Sequence, residues 1–425
     1  MRIGVLLLHG LTGMPSELRP LEKFLQKNGI ETEAPVLAGH GGTHLDLNRV
    51  KFKEWVDSAR DSLTLLLKRV DRVFLCGLSM GGTIAAMLAL EIPEQCAGLI
   101  LLSPTLDYDG SNLDNLTHQR AFKSKTLRNV LHALTEYIPG FGDAFYWTET
   151  PPYGLKDKRL QAQITKSIEA AKIGQSNEFG LFRTYFSSLH QMKLLTDQFH
   201  QMASRVDCPV LILHSLEDTL ASMNNATEMY KSLGSQDKRL IAFTGCDHVM
   251  TLDLQRHFVL KRVGEFIARI TDHEIIAPRK SNPVWSFEIC DRLSEEGSLF
   301  FNNFITHNPD YLAAQKALIQ SKTVECQGSH LEIKENNRVK AVMPLFAVTG
   351  RTLTVGYSQK RWSQDFNQPV ENFTVKYLLY SFLNNIAKSI KAVHICLING
   401  QILNKNQVTK AQYANQTSLV AEKKR

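Results

Sequence analysis

No Cys-x-x-Cys pair, no His-Glu-x-x-His and no apolar run of membrane-span length occurs in this chain of 425 residues. The seven cysteines, at positions 76, 96, 208, 246, 290, 326 and 396, are scattered and odd in number. That distribution argues against a disulfide framework and for free thiols in a reducing compartment. With no clustered Cys and His spacing, no metal site and no cofactor are expected. Leu6-Leu7-Leu8 is too short for the apolar region of a signal peptide, and no stretch reaches the ~20 residues of a membrane helix. A cytoplasmic protein is expected. Excess positive charge is missing from the first two-thirds: residues 1–272 hold 30 Lys and Arg against 30 Asp and Glu, and residues 273–425 hold 19 against 12. A solvated basic surface accounts for that excess, and no nucleic-acid partner is expected.

What is present is ordinary for a globular protein, with 43% hydrophobic and 21% charged residues. The length exceeds what one core usually supports, so two domains are expected. Ala277-Pro278-Arg279-Lys280-Ser281-Asn282-Pro283 is a Pro-bracketed polar stretch that reads as a linker. The expected division is therefore a first domain over 1–272, a linker over 273–283 and a second domain over 284–425. The polar end of the chain, closing on Glu422-Lys423-Lys424-Arg425, reads as a frayed tail.

Gly77-Leu78-Ser79-Met80-Gly81 stands between the apolar, β-prone Arg72-Val73-Phe74-Leu75-Cys76 and an Ala-rich, helix-prone run that stops at Pro93. Strand, tight turn and helix are the context that a G-x-S-x-G nucleophile elbow needs. Such a turn strains the serine backbone, and its glycines let strand and helix approach closely. The hydroxyl is presented at a helix N-terminus, where the dipole favours developing negative charge. Upstream, the buried-strand run Ile3-Gly4-Val5-Leu6-Leu7-Leu8 leads into His9-Gly10-Leu11-Thr12-Gly13. Downstream, the Pro-led strand Cys208-Pro209-Val210-Leu211-Ile212-Leu213-His214 runs into Ser215-Leu216-Glu217-Asp218. A carboxylate just past a buried strand lies where catalytic groups gather in open α/β sheets, and Glu217 and Asp218 compete for that place. A further strand, Arg239-Leu240-Ile241-Ala242-Phe243, runs into Thr244-Gly245-Cys246-Asp247-His248, with a helix expected over 252–270. Of 14 histidines, His248 alone falls between a last strand and a closing helix, where a general base belongs.

These motifs carry a resemblance. Residues 1–272 resemble the carboxylesterase and monoacylglycerol lipase branch of the α/β-hydrolases through HGLTG (9–13), AGHGG (38–42), GLSMGG (77–82), LEDT (216–219) and DHVMTLD (247–253). The resemblance implies an α/β fold with a mostly parallel sheet, helices on both faces and a helical cap over about 105–200. It implies Ser79 as nucleophile, His248 as base and Asp218 as acid, because S-x-x-D here matches the family's usual G-x-x-D. The backbone amides of Leu11 and Met80 would form the oxyanion hole. His40, in a tight loop expected near the active-site rim, is assigned no catalytic role. Two departures stand out: the chain starts almost on the third family strand, so the first two are expected to be absent, and Leu11 replaces a frequent aromatic residue.

Between Leu102 and Pro209 the sequence has helical periodicity near 123–137, 156–171 and 179–192 and no convincing strand. Phe141, Phe145, Tyr146, Trp147, Phe182, Tyr185 and Phe186 fall in this cap; most are expected to pack it onto the sheet and a minority to line an apolar acyl pocket. The second domain reads as α+β, with helices over 290–321 and 375–390 and strands over 330–334, 339–346, 353–357 and 393–397. It shows no family resemblance and no chemical motif; it could bind an acyl group, a partner protein or a second copy as a homodimer. Three functions stay open. The chain could hydrolyse small-molecule esters with short to medium acyl chains, including monoacylglycerols. It could be a thioesterase or acyltransferase whose second domain presents the acyl carrier. It could also be a non-catalytic binding module that keeps the fold.

Overall fold

The computed structural model describes residues 1–110, 125–171 and 175–278, together with strand segments between 285 and 404. They fall into two compact units, residues 1–238 with 243–282, and residues 239–242 with 283–425.

The first unit is built on a parallel sheet. Ile3–Leu8 (β1), Arg72–Leu78 (β3), Cys96–Leu102 (β4) and Val210–Ser215 (β7) are apolar runs buried almost throughout. Continuous apolar runs, rather than alternating ones, are what a strand covered on both faces requires. The short Glu31–Glu33 (β2), which the sequence did not announce, pairs parallel to β1, and the order runs β2-β1-β3-β4-β7. Register aligns the carboxyl ends: Leu8 lies opposite Gly77, Leu78 opposite Leu102, and Leu102 opposite Leu213. The loops that leave β1, β3, β4 and β7 therefore emerge along one edge. The ends of Lys238–Phe243 (β8) are tied to β7, since Val210 N–H donates to Asp237 O at 2.8 Å and Leu216 N–H to Phe243 O at 2.8 Å.

Helices cover the sheet. Arg19–Lys27 (α1), His44–Arg49 (α2) and Phe52–Leu67 (α3) follow β1 and β2. In α3, Phe52, Trp55, Val56, Ala59, Leu63 and Leu66 form one buried stripe at helical spacing. Met80–Ala89 (α4) is buried on every side, as a helix apolar all round must be.

The segment between β4 and β7 forms the cap. It holds Lys125–Tyr137 (α5), Tyr146–Thr148 (β5), Lys158–Ala170 (α6), Arg183–Tyr185 (β6) and Phe186–Met202 (α7). Two expectations are corrected here. The cap does contain strands, because β5 and β6 pair antiparallel with Tyr146 opposite Tyr185. The third helix begins at Phe186, not near 179, because β6 occupies the preceding residues. Cross-strand side chains account for both: the Tyr146 and Tyr185 rings stack at 4.9 Å, and the Arg183 guanidinium lies 4.9 Å from the Tyr146 ring. Met223–Ser232 (α8) follows β7, and Arg256–Thr271 (α9) closes the unit, starting later than the expected 252 because residues 250–255 form turns.

In the second unit, Trp285–Cys290 (β9), His330–Glu335 (β11), Arg338–Val348 (β12) and Thr352–Val355 (β13) form an antiparallel series in the order β9-β11-β12-β13. Val324–Glu325 (β10) pairs with β12, His394–Leu397 (β14) lies parallel to β13, and Ile402–Asn404 (β15) pairs with β14. Cys290 closes a strand rather than opening a helix. The remainder of the helix expected over 290–321, and that over 375–390, lie outside the described residues. Among the described residues, no helix is long and apolar enough to cross a membrane.

Candidate active site

Ser79 joins β3 to α4 with φ 55° and ψ −121°, a conformation that L-residues rarely adopt. Its flanks explain how the strain is held. A Cβ on Gly77 would overlap the backbone of Gly81, and one on Gly81 would overlap the carbonyl of Leu8. Glycine at both positions lets β1, β3 and α4 converge beneath the serine. Ser79 N–H donates to Leu102 O at 2.9 Å, and Gly82 N–H donates to Ser79 O at 3.0 Å, so the turn is fixed from both sides. Ser79 is buried, and its hydroxyl donates to Thr105 Oγ1 at 3.0 Å; Tyr108 lines the same cavity.

Asp218, in the loop after β7, and His248, in the loop after β8, meet directly: Nδ1 of His248 lies 2.7 Å from Asp218 Oδ2. The other carboxylate oxygen accepts the backbone N–H groups of Leu220 and Ala221 at 2.9 and 2.8 Å. Burial would raise the Asp218 pKa, but the His248 charge and hydrogen bond hold it below the ordinary value. Burial would lower His248, but the charge and hydrogen bond of Asp218 outweigh it and raise the imidazole pKa. Nε2 of His248 has no hydrogen-bond partner among the described residues. The backbone of His248 is pinned as well, its carbonyl accepting from Ser103 Oγ at 2.7 Å and its N–H donating to Asp247 Oδ1 at 2.8 Å. Glu217 is turned away; it pairs with Lys156 Nζ at 2.6 Å and accepts Gly245 N–H at 2.6 Å.

The loop after β1 faces the serine. Gly10 lies against Ser79, with room for a Cβ only 3.2 Å from the serine Cβ. Leu11 N–H has no acceptor among the described residues, and Met80 opens α4, where backbone N–H groups lack intrahelical partners. Beneath this loop His9 and His40 are buried with ring centroids 4.8 Å apart, both well below the ordinary histidine pKa, chiefly through desolvation. His9 Nε2 accepts Leu37 N–H at 3.1 Å, which ties the start of the 9–13 loop to the segment before His40.

Ser79, His248 and the 10–13 loop line one cavity, closed by Trp147, Tyr153 and Phe182 of the cap and by Leu220 and Val249. Of the seven cap aromatics singled out above, Trp147 and Phe182 reach it. The structure thus brings Ser79, Leu11 and His248 to one cavity and Asp218 to His248, while the serine hydroxyl points to Thr105 and not to the imidazole. Sequence reasoning missed Thr105, Tyr108, Glu17 and Glu149. They come from three separate segments, Thr105 and Tyr108 from the loop after β4, Glu17 from the turn after the 10–13 loop and Glu149 from the residue after β5, and no motif links the three. Glu17 and Glu149 are half-buried at the cavity, and loss of hydration pushes each carboxyl up to about 7. Asp253 was visible only as the last letter of a motif. Its buried carboxylate accepts N–H groups from Lys156 and Asp157 in the cap, from Asp247 beside His248, and from Leu254, at 2.7–3.0 Å. Among the described residues, no group of three or more His, Cys, Asp or Glu is arranged to hold a metal ion.

A family model described as Serine aminopeptidase, S33, matches residues 1–255. The chain is 28% identical over 267 residues to a thermostable monoacylglycerol lipase of Bacillus sp. (strain H-257), covering 63% of this chain and 91% of that protein. It is 22% identical over 275 residues to a carboxylesterase of Bacillus subtilis (strain 168), covering 63% of this chain and 92% of that protein. Among solved structures, the monoacylglycerol lipase of Paleococcus ferrophilus is similar, at 18% identity and a TM-score of 0.49 over 63% of this chain and 95% of that one.

Proposed function

The chain belongs to the Serine aminopeptidase, S33, family, in the carboxylesterase and monoacylglycerol lipase branch of the α/β-hydrolases, and from this premise we propose that it hydrolyses short- to medium-chain acyl esters through Ser79, His248 and Asp218. The observation that carries this reading is the 2.7 Å contact between His248 Nδ1 and Asp218, made beside a cavity that also holds Ser79 in its strained turn. In the reaction the serine hydroxyl leaves Thr105 for Nε2 of His248, which takes its proton as Oγ attacks the ester carbonyl. Asp218 holds the tautomer with hydrogen on Nδ1 and stabilises the imidazolium. The amides of Leu11 and Met80 receive the developing oxyanion, each worth about 3–4 kcal/mol on removal in comparable enzymes. His248 then protonates the leaving alcohol, and water cleaves the acyl-enzyme by the same steps in reverse.

Residues 284–425 are proposed to form a separate module that the ester chemistry does not need. The test is a comparison of kcat/KM for 4-nitrophenyl esters, monoacylglycerols and acyl-CoA thioesters of matched chain length. Preference for oxygen esters supports the reading, and a clear preference for acyl-CoA would replace it with a thioesterase or acyltransferase.

A further inference from the structure

The cavity beside Ser79 has an electrostatic character that ester cleavage alone does not require. Its lining includes two carboxylates, Glu17 and Glu149, and neither lysine nor arginine. The two reach it from unrelated parts of the chain, Glu17 from the turn after the 10–13 loop and Glu149 from the residue following β5. Each is sparsely partnered among the described residues. Glu17 Oε2 accepts Gly10 N–H at 3.4 Å, Glu149 Oε1 accepts the Thr12 hydroxyl at 3.5 Å, and neither side chain has a basic residue in ion-pair range. The absence of a side chain at Gly13 leaves room for the Glu17 carboxylate, since a Cβ there would overlap it. The rest of the wall is rich in rings: Tyr108, Trp147, Tyr153, Phe179 and Phe182 all line the same cavity. Sparsely paired carboxylates among aromatic faces are the chemistry that recognises an organic cation, by charge and by cation–π attraction.

We propose that Glu17 and Glu149 make this cavity selective for esters bearing a positively charged amine or quaternary ammonium group, bound between the two carboxylates and the aromatic wall. The proposal rests on the ester-hydrolase reading of the same cavity and names its substrate class. It also accounts for the two half-buried carboxyls. Without a cation, burial and their mutual repulsion favour the protonated forms; a bound cation supplies the missing counter-charge. The other titratable groups facing them are His248, which stabilises both carboxylates when charged, and Tyr108, which senses both acids together with Asp218.

The test uses the full-length protein and pairs of esters matched in shape. Butyrylcholine against 3,3-dimethylbutyl butyrate places the charge on the alcohol. 4-Nitrophenyl 6-aminohexanoate against 4-nitrophenyl heptanoate places it on the acyl group. At a pH of about 8.5, with both carboxyls ionised, the cationic member of one pair should lead in kcat/KM by about tenfold or more. At a pH of about 5.5 the lead should shrink towards unity; protonation of His248 slows both esters and cancels in the ratio. Glu17→Gln and Glu149→Gln should each reduce the ratio several-fold at the higher pH. Ratios near one at both pH values in both pairs would overturn the proposal, while cleavage of the neutral esters would leave the ester-hydrolase reading standing. If no ester is cleaved, that reading falls, and calorimetric titration with butyltrimethylammonium decides the cation site alone. Binding that Glu17→Gln weakens upholds it, and no binding overturns it. Should the Gln variants fail to fold, the pH dependence of the wild-type ratio still decides.

Discussion

His248 is where two opposing effects meet: burial disfavours its charged form, and Asp218 at 2.7 Å more than restores it. As the base of the free enzyme it must be neutral, so kcat/KM should rise with pH through a midpoint above the ordinary histidine value of about 6.5. A profile flat down to a pH of about 4.5 would exclude a histidine base. The acid is tested in the same assay. Asp218→Asn should lower kcat by about 10⁴-fold, as loss of the tautomer-holding carboxylate does in comparable triads, and should move the residual acid limb to lower pH. Glu217→Gln, which removes the charge paired with Lys156 and leaves a carbonyl oxygen for Gly245 N–H, should cost less than about tenfold. If the two variants exchange these behaviours, the acid is Glu217.

At the scale of elements, the cap and the His248 loop are joined through Asp253. Asp253→Ala would leave the N–H groups of Lys156, Asp157, Asp247 and Leu254 without their acceptor in a dry site, at a cost of about 3 kcal/mol or more. Urea unfolding should show a lower midpoint at unchanged slope, with Asp253→Asn intermediate because its one carbonyl oxygen still accepts. An Asp253→Ala midpoint matching the wild type would mean that the clamp is not what holds the cap. Elements of this kind divide what the sequence reveals from what it hides. The strands β1, β3, β4 and β7 were legible because both their faces are buried and apolar, and the Ser79 turn because Gly77 and Gly81 have no substitute. The strands β5 and β6 were hidden because three-residue strands have no period of their own and form only when Tyr146 meets Tyr185. Glu17, Tyr108 and Glu149 were hidden for the same reason at larger range, since only the folded loops bring them to Ser79.

For the whole molecule, the residues lining the cavity all lie between Gly10 and Leu252. A chain ending at residue 282 should therefore hydrolyse small soluble esters with kcat/KM within about threefold of the full protein. It should also melt at lower temperature, because Arg239–Ala242, the inside of β8, groups with residues 283–425. A cooperative melt without hydrolysis would show that residues beyond 282 take part in the site. The central claim, a nucleophilic serine in a strained elbow, is tested most directly by mass spectrometry after reaction with a fluorophosphonate. One equivalent should attach to the peptide carrying Ser79, and Ser79→Ala should carry none. Undiminished labelling in Ser79→Ala, or a folded wild-type protein that takes up no label, would contradict it.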